Sequence, residues 1–466
     1  MTEAMQGNAV QGKGGWKFER DAIRAFRFVR RRFDPASGVA TLAYAFDDGP
    51  ELVETIAIPG APFALDGVRA EAVARALRLL HFIAGVSYYK AAVPPEIVVE
   101  GEAPDAALAA LLHAVYRNGL GEFAYRNGID LEGRIRFPSS GKAASPAADA
   151  SVDPRRAFVA IGGGKDSLVT IEALRAAGVD QTVCWIGGSQ LIAACAARTG
   201  LPTLNIGRQL APQLFEFNRQ GAWNGHIPVT AVNSAILVLA ATLHGAGQVV
   251  FSNERSASYG SMIPGTGEVN HQWSKGWEFE RLFGEYVGTA VAEGLHYYSL
   301  LRPLSELAVA RQFARSDRYD AHFSSCNRNF HILGERPVNR WCGQCPKCHF
   351  VFLALAPFMS KPRLVGILGR NLLDDPEQTA GYDALLEYQD HKPFECVGEG
   401  RESRAAMAAL AQRPEWREDA LVRRFAREIA PQLDAGEFAI EPLLAPEGEH
   451  RVPPALWEAL RERFAG

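Results

Sequence analysis

The sequence has no long apolar run, and this absence limits the kinds of protein it can encode. The most apolar stretch, residues 235–241, is too short to cross a bilayer and is typical of a buried helix. Residues 1–15 are polar and rich in glycine, and they lack the apolar centre of a signal peptide. We therefore expect a cytoplasmic protein that has no membrane partner.

The sequence also lacks a strong excess of charge and an even spread of cysteines. The formal net charge is −4 over 466 residues, so no strong positive field favours a nucleic acid as the partner. Four of the seven cysteines fall between Cys326 and Cys348. Such clustering is typical of a metal site and not of a secreted disulfide framework.

The order of predicted elements divides the chain into three parts. Residues 1–150 are predicted to form an N-terminal α+β domain that recognises the substrate. Residues 151–360 alternate strands with helices, a pattern that predicts a parallel sheet covered on both faces. Residues 361–466 are mostly helical and charged. The first boundary is set near residue 150 because residues 138–154 are rich in Ser, Ala, Pro and Gly and are typical of a linker.

Within the N-terminal part, residues 25–33 alternate like a strand until Arg30, where three arginines run together. Such a run is usually a solvated strand face, and contact with an anionic substrate is the alternative. Helices are predicted at 69–84 and 105–117. The glycine-punctuated stretches at 85–90 and 119–123 are expected to be loops.

A turn of three glycines separates a predicted buried strand, residues 157–160, from a predicted helix, residues 168–175. Glycines let the backbone approach an anion closely, and the first N–H groups of a helix point toward it. Lys165 is followed by Asp166, so the spacing does not fit a Walker loop. The dinucleotide-binding pattern also fails, because it needs a further glycine. The turn therefore predicts a phosphate site, with an ordinary glycine-rich strand–helix turn as the alternative.

The same turn resembles the PP-loop of the ATP pyrophosphatases, whose pattern is Ser-Gly-Gly-x-Asp-Ser. Gly163, Gly164, Asp166 and Ser167 match the pattern; Lys165 occupies the variable position, and Gly162 replaces the first serine. The resemblance implies an α/β protein with a parallel-sheet PP-loop domain of the adenine nucleotide alpha hydrolase type. It further implies that residues 162–167 bind ATP, with Mg²⁺, and that ATP is cleaved to AMP and pyrophosphate.

A long polar segment, residues 253–275, follows the predicted strand 248–252. Long irregular segments in compact domains are commonly functional loops, and this one lies at the expected nucleotide edge of the sheet. Arg255 and Lys275 could neutralise phosphates there. A mobile surface loop with incidental charge is the alternative.

Cys326, Cys342, Cys345 and Cys348 form a candidate metal site, since four thiolates suffice for tetrahedral zinc with no open position. Iron–sulfur ligation and free buried thiols are the alternatives. The arrangement also resembles the 7-cyano-7-deazaguanine synthases, PP-loop enzymes with a four-cysteine zinc that activate a carboxylate with ATP.

Five stretches together resemble the UDP-N-acetylmuramoyl-L-alanyl-L-glutamate epimerases of bacterial cell-wall synthesis. They are residues 85–90, 119–123, 161–167, 270–275 and 391–398. The resemblance implies ATP-dependent inversion of the terminal glutamate of a nucleotide-linked muramoyl dipeptide through an acyl-adenylate. The expected cofactors are ATP, Mg²⁺ and a structural Zn²⁺.

Inversion of the glutamate requires acid–base groups on the two faces of Cα. His271 is the first candidate because histidine titrates near neutral pH and this one lies in the polar segment. Lys275 and Glu254 compete for the second role, although Lys275 could instead bind phosphate. A hydrogen-bonded loop histidine is the alternative for His271.

Two other functions stay open at the level of the sequence. A related ATP-dependent ligase or amidating enzyme would transfer the activated carboxyl group to nitrogen without inversion. A nucleotide sensor or RNA-binding protein would bind without cleaving ATP, but the slightly acidic charge balance disfavours RNA. The oligomeric state is not predicted.

Overall fold

The strands form one large mixed sheet and two small two-stranded ribbons. The computed structural model describes residues 16–65, 67–329, 337 and 340–466. The strands of these residues are β1 (Ala25–Asp34), β2 (Val39–Phe46), β3 (Leu52–Ala57), β4 (Glu96–Val99), β5 (Ala148–Asp149), β6 (Asp153–Ala160), β7 (Asp180–Ile186), β8 (Thr203–Gln209), β9 (Ala246–Phe251), β10 (Ser261–Ile263), β11 (Gly267–Val269), β12 (Ala292–Glu293) and β13 (His296–Ser299).

The large sheet has the strand order β13-β9-β6-β7-β8-β3-β2-β1-β4. Its first five strands are parallel to one another, as the alternation of strands and helices predicts. The next three strands are antiparallel, and β4 runs parallel to β1. The protein is therefore an α/β protein with a mixed sheet.

The parallel and antiparallel halves meet where β8 pairs with β3, with Arg208 opposite Ile56. Since β3 lies in the N-terminal part and β8 in the central part, these two parts share one sheet. The segment 138–154, predicted to be a linker, contributes β5 and the start of β6. The division into three domains stays a prediction.

Helices cover both faces of the sheet and make up most of the chain beyond residue 345. The helices of the described residues are α1 (Gly67–Ala84), α2 (Val86–Tyr89), α3 (Ala106–Gly119), α4 (Gly121–Asn127), α5 (Lys165–Ala176), α6 (Gln190–Thr199), α7 (Gln213–Arg219), α8 (Val229–His244), α9 (Trp277–Tyr286), α10 (Glu306–Ala314), α11 (Pro346–Leu355), α12 (Lys361–Leu368), α13 (Thr379–Leu385), α14 (Gly400–Ala411), α15 (Ala420–Arg424), α16 (Glu441–Leu444) and α17 (Pro454–Ala465).

Two hydrophobic cores lie on opposite faces of the sheet. Phe158 of β6 belongs to the core that contains α1, α8 and the N-terminal strands. Its neighbours Ala157 and Val159 belong to the core that contains α5, α10 and the C-terminal helices. Successive strand residues point to opposite faces, so an apolar run such as 157–160 is what a strand buried on both faces requires.

Most predicted elements are confirmed, and the two predicted loops are wrong. Residues 85–90 include the buried helix α2, and residues 119–123 join the end of α3 to the start of α4. Glycine spacing alone misled the prediction, because both stretches are largely buried and a helix satisfies the hydrogen bonds of a buried backbone. In β1 the register shifts between Phe28 and Arg30, which explains why the alternation breaks at Arg30.

Residues 235–241 lie within α8 and are buried, as predicted. Across the described ranges, every helix is too short or too polar to meet the requirements of a membrane span.

Candidate functional site

The glycine turn joins the carboxyl end of β6 to the first turn of α5. Gly163 has a φ of +80°, which L side chains rarely adopt, and Gly164 caps the helix. A Cβ at Gly164 would lie 2.7 Å from Ser325 Oγ, whereas a Cβ at Gly162 would meet open space. The turn is therefore closely packed against Ser325 at Gly164 and open at Gly162.

A cavity of about 320 Å³ lies in front of this turn, at the carboxyl ends of β6, β7 and β9. Ligands in parallel sheets bind at this edge. Its lining includes polar groups from four parts of the chain: Gly162, Gly164, Asp166, Ser167, Asn253, Lys275, Lys347 and Cys396.

Lys165 has a buried ammonium group that pairs with carboxylates. Its side chain is 1% exposed, and Nζ contacts both Asp166 and Glu306. Burial would lower the pKa of Lys165, but the two carboxylates raise it above its ordinary value. The contacts of Lys165 hold the start of α5 against the start of α10.

Three carboxylates meet beside the turn: Asp166, Glu254 and Glu306 each offer an oxygen within 4.8 Å of the others. Burial, followed by the charges of its acidic neighbours, raises the pKa of Glu306 to about 8 despite the nearby Lys165. The three residues could hold a metal ion; of them, Asp166 lines the cavity, and Lys165 already pairs with Asp166 and Glu306. Glu254 thus lies next to the turn, and its acid–base role stays a prediction.

Lys275 and Lys347 carry ammonium groups to the cavity. Lys275 Nζ lies 3.1 Å from Cys396 Sγ, and the opposing carboxylates and this thiol keep the pKa of Lys275 high despite its burial. Lys347 Nζ contacts the Cys396 carbonyl and lies 3.8 Å from Glu306 Oε1. Two cations facing one cavity suit a ligand that carries several negative charges.

His271 is not part of the lining of this cavity and is separated from it by Cys396. Its Nδ1 contacts the buried carboxylate of Glu122, and the imidazole lies close enough to Cys396 for their charges to interact. Burial would lower the pKa of His271, but Cys396 and Glu122 raise it to about 9. The ring of His226 lies 4.1 Å from that of His271, and its pKa is lowered to about 3 by burial and by this neighbour.

Arg255 pairs with Glu447, at 2.8 Å between Nη1 and Oε1. Its role in binding phosphate stays a prediction. The polar segment 253–275 is more regular than expected, since it contains β10, β11 and short 3₁₀ turns.

The four cysteines come together as predicted. Their Sγ atoms lie within 4.8 Å of one another, and Cys348 Sγ is 3.7 Å from Cys342 Sγ and 3.5 Å from Cys345 Sγ. Zinc–sulfur bonds of about 2.3 Å in a tetrahedron place sulfurs about 3.8 Å apart, so the cluster fits one zinc ion. An iron–sulfur cluster spreads its thiolates over several irons and needs wider spacing.

Sequence reasoning missed Glu122, Glu306, Lys347 and Cys396 as residues of this region. Lys347 lies between two metal-cluster cysteines and Cys396 lies in the stretch 391–398, so both were in view without an assigned role. Only folding brings them together, since residues 122, 271, 306 and 396 are far apart in the chain.

Comparison with known proteins identifies the family. The sequence matches the "MurL N-terminal domain" over residues 17–300 and the "MurL C-terminal domain" over residues 322–438. It is 73% identical to the UDP-N-acetyl-alpha-D-muramoyl-L-alanyl-L-glutamate epimerase of Xanthomonas oryzae pv. oryzae, over 96% of this chain and 99% of that protein.

Two more distant relatives carry the same name. Those of Micromonospora sp. and Salinispora tropica are each 42% identical over 94% of this chain, and the matches cover 98% and 95% of their own lengths. Matches of this extent run through both halves of the sheet and the C-terminal helices. The chain therefore belongs to the family of UDP-N-acetyl-alpha-D-muramoyl-L-alanyl-L-glutamate epimerases.

Proposed function

We propose that this protein is an epimerase that acts on a nucleotide-linked muramoyl dipeptide. It converts the terminal L-glutamate of UDP-N-acetylmuramoyl-L-alanyl-L-glutamate to D-glutamate during the synthesis of peptidoglycan precursors. The support is the family membership over nearly the whole chain.

We further propose that the epimerase uses ATP and releases AMP and pyrophosphate. The observation that carries this proposal is the strand–glycine turn–helix unit at residues 160–167, which opens on a cavity with two ammonium groups. Backbone N–H groups at a helix start bind phosphate, and Lys275 and Lys347 add positive charge. A Mg²⁺ ion held by Asp166 and the phosphates would supply further screening of the phosphate charge.

Activation of the α-carboxyl group explains why an epimerase would need ATP. Loss of a proton next to a free carboxylate creates a dianion, so its barrier is high. Adenylation removes the negative charge of that carboxylate and makes its carbonyl group an electron sink. Only the carboxyl group bonded to Cα has this effect, so we assign the adenylate to the α-carboxyl group and not to the side chain.

The acid–base groups are proposed to come from the side chains around the cavity. Lys275 lines the cavity directly, and Glu254 belongs to the carboxylate trio beside it. His271 reaches the cavity through its contact with Cys396. A ligase or amidating enzyme would share the ATP chemistry but would need a nitrogen nucleophile.

A second, larger cavity of about 570 Å³ lies between the N-terminal part and the segment 253–275, and its lining carries Asp130, Glu132, Glu268 and Glu278 against Arg117. This acidic lining does not favour a diphosphate, so recognition of the nucleotide-linked sugar by the N-terminal part is proposed from the family membership alone.

The decisive experiment is incubation of the purified protein with ATP, Mg²⁺ and UDP-N-acetylmuramoyl-L-alanyl-L-glutamate. We expect D-glutamate after hydrolysis of the product, in step with AMP and pyrophosphate. Inversion without AMP would refute the use of ATP by this route. AMP with a new amide or peptide bond and unchanged chirality would favour the ligase. ATP binding without AMP would favour a sensor.

A further inference from the structure

Cys396 lies among charged side chains at the cavity. Cys396 is partly exposed, and its Sγ lies 3.1 Å from Lys275 Nζ. The imidazole of His271, which contacts Glu122, is a further charged neighbour of the thiol. Burial would raise the pKa of the Cys396 thiol, but Lys275, His271 and Lys347 together hold it well below its ordinary value. The thiolate is therefore the expected form at neutral pH.

One acidic group, Glu395, also faces the thiol. Burial raises the pKa of Glu395, while His271 opposes the shift and the Cys396 charge adds to it. The Glu395 carboxylate accepts a hydrogen bond from Asn327. The groups that face Cys396 thus carry more positive than negative charge, which is what a standing thiolate requires.

We propose that the Cys396 thiolate is the base that removes the α-proton of the glutamyl residue. This inference rests on the proposed function, because only an activated α-carboxyl group makes that proton acidic. Cys396 lines the same 320 Å³ cavity as Gly162, Gly164 and Ser167. An acyl group bonded to a phosphate at the glycine turn has its Cα within a few bonds of that phosphate, and so within this cavity.

In the proposed step the Cα–H bond breaks and an S–H bond forms on Cys396. The electron pair of the C–H bond moves into the activated carboxyl group as an enolate, whose negative charge faces Lys275 and Lys347. The inverted carbon receives its proton from solvent through an acid on the other side of Cα. Cys396 then releases its own proton to solvent and returns to the thiolate.

His271 and Glu122 are positioning residues in this step. The Glu122 carboxylate orients the imidazole through Nδ1 and stabilises its protonated form, which in turn stabilises the thiolate. Arg126 donates to the other oxygen of Glu122 at 2.5 Å and fixes the carboxylate. Lys275 contributes the second positive charge at the sulfur.

The test is Cys396→Ser in the full chain, assayed for its two half-reactions with the muramoyl dipeptide substrate. Exchange of labelled pyrophosphate into ATP reports adenylation, and we expect it to stay within about threefold of the unaltered enzyme. Incorporation of deuterium at Cα in D₂O reports proton removal, and we expect it to fall at least about 10²-fold. A merely structural role would lower both rates together.

Cys195→Ser is the matched control. Cys195 is buried on α6, donates to the His322 carbonyl at 3.2 Å and lies 3.7 Å from the Gly163 carbonyl, and its pKa is raised by burial to about 11. A hydroxyl can still donate to the His322 carbonyl, and the Gly163 carbonyl keeps its hydrogen bond from Ser324 N, so both half-reactions should stay near their original rates. Loss of exchange in the control as well would assign the effect of Cys396→Ser to general disturbance and overturn the proposal.

A second measurement does not depend on the folding of a variant. The alkylation rate of Cys396 by iodoacetamide, followed by peptide mass spectrometry, should rise with pH at a midpoint well below that of an ordinary thiol. In His271→Gln this midpoint should move to higher pH, because one stabilising positive charge is gone. If the alkylation rate of the unaltered protein rises only above about pH 8, Cys396 is not a thiolate at neutral pH and the proposal is overturned.

The outcomes separate this inference from the proposed function. An unaltered enzyme that forms no AMP refutes the proposed use of ATP, whatever the variant does. An unaltered enzyme that inverts glutamate with AMP release, while Cys396→Ser exchanges deuterium at full rate, refutes only the role of Cys396. Detection of a glutamyl thioester on Cys396 would show that Cys396 acts as a nucleophile, and it would also overturn the proposal that Cys396 is the base.

Discussion

Two of the groups of buried charges at the large sheet differ in their surroundings. At the seam between its halves, Arg208 Nε donates to Glu54 Oε1 at 2.7 Å and Arg208 Nη2 donates to Ser87 Oγ at 3.1 Å. Beside the glycine turn, the buried Lys165 and Glu306 belong to a larger group that adjoins a cavity.

The comparison teaches which buried charges indicate function. At the seam, the ion pair of Arg208 and Glu54 is enclosed by protein and holds two strands together. The group at the turn combines three carboxylates with three lysines, and several of these side chains reach a cavity. Buried charge by itself therefore marks a costly contact, and only its position at a cavity suggests chemistry.

Loss of the metal should break the site most severely. We expect one zinc ion per chain, and Cys345→Ser should lose it and lower the free energy of unfolding by about 4 kcal/mol or more. The turn should suffer as well, because Ser324 N, close to Cys326, donates to the Gly163 carbonyl at 3.0 Å. Elemental analysis and urea unfolding check this; absence of zinc, or an iron–sulfur absorption band, would contradict it.

Asp166→Asn should separate activity from stability at the turn. The variant keeps the shape of the side chain but removes a negative charge beside the phosphate site, so we expect roughly a 10³-fold loss of AMP formation. The fold should survive because Glu306 still pairs with Lys165. Ser167→Ala is expected to act in the same direction. Turnover at the original rate in both variants would show that the glycine turn takes no part in the reaction.

Glu54→Gln, at the seam, should lower the stability of the protein and leave its activity unchanged, which is the opposite of the effect expected for Asp166→Asn. It leaves the Arg208 charge buried without its ion pair, at a cost of about 4 kcal/mol in the free energy of unfolding. The folded fraction should keep its activity. The exposed pair of Glu51 and Arg30 provides the control, since Glu51→Gln should cost less than about 1 kcal/mol. Equal costs for the two variants would refute the distinction.

The stability of the antiparallel half should depend on pH because of His81. Burial, partly offset by the hydrogen bond to the Ala43 carbonyl, lowers the pKa of His81 to about 4. The unfolded chain therefore binds this proton below pH 6.5 while the folded chain stays neutral, so stability falls as the pH drops toward 4. Between pH 7 and pH 5 the contribution is about 2 kcal/mol.

His81→Gln isolates this contribution. The variant keeps a donor for the Ala43 carbonyl but cannot titrate, so its stability should fall less between pH 7 and pH 5 than that of the unaltered protein. Urea unfolding at both pH values measures the difference. Parallel losses in the two proteins would show that other groups cause the acid sensitivity.

The sequence alone predicted the parts of the molecule whose signals are local. The strand 157–160, the glycine turn and the helix after it follow from a short apolar run, glycines and a helix start in direct succession. The apolar stretch 235–241 was predicted to be a buried helix, and it lies within α8. The four cysteines were grouped correctly because three of them lie within seven residues.

The sequence could not reveal contacts between distant segments. The pairing of β3 with β8 depends on the exposed edges of both strands, and no local pattern encodes which edges meet. Residues 85–90 and 119–123 read as loops because their glycines dominate the local pattern, yet burial against surrounding elements makes them largely helical.

The residues of the site also fall into a group predicted from the sequence and a group revealed only by the structure. The sequence by itself determined the turn that could hold phosphate and the cysteines that could hold zinc, since each depends on residues that are neighbours in the chain. Only the tertiary structure decided that Cys396 lies against Lys275 and His271, and that Glu306 meets Asp166. The physical reason is that charge interactions depend on distance in space, and folding alone sets the distance between residues more than a hundred positions apart.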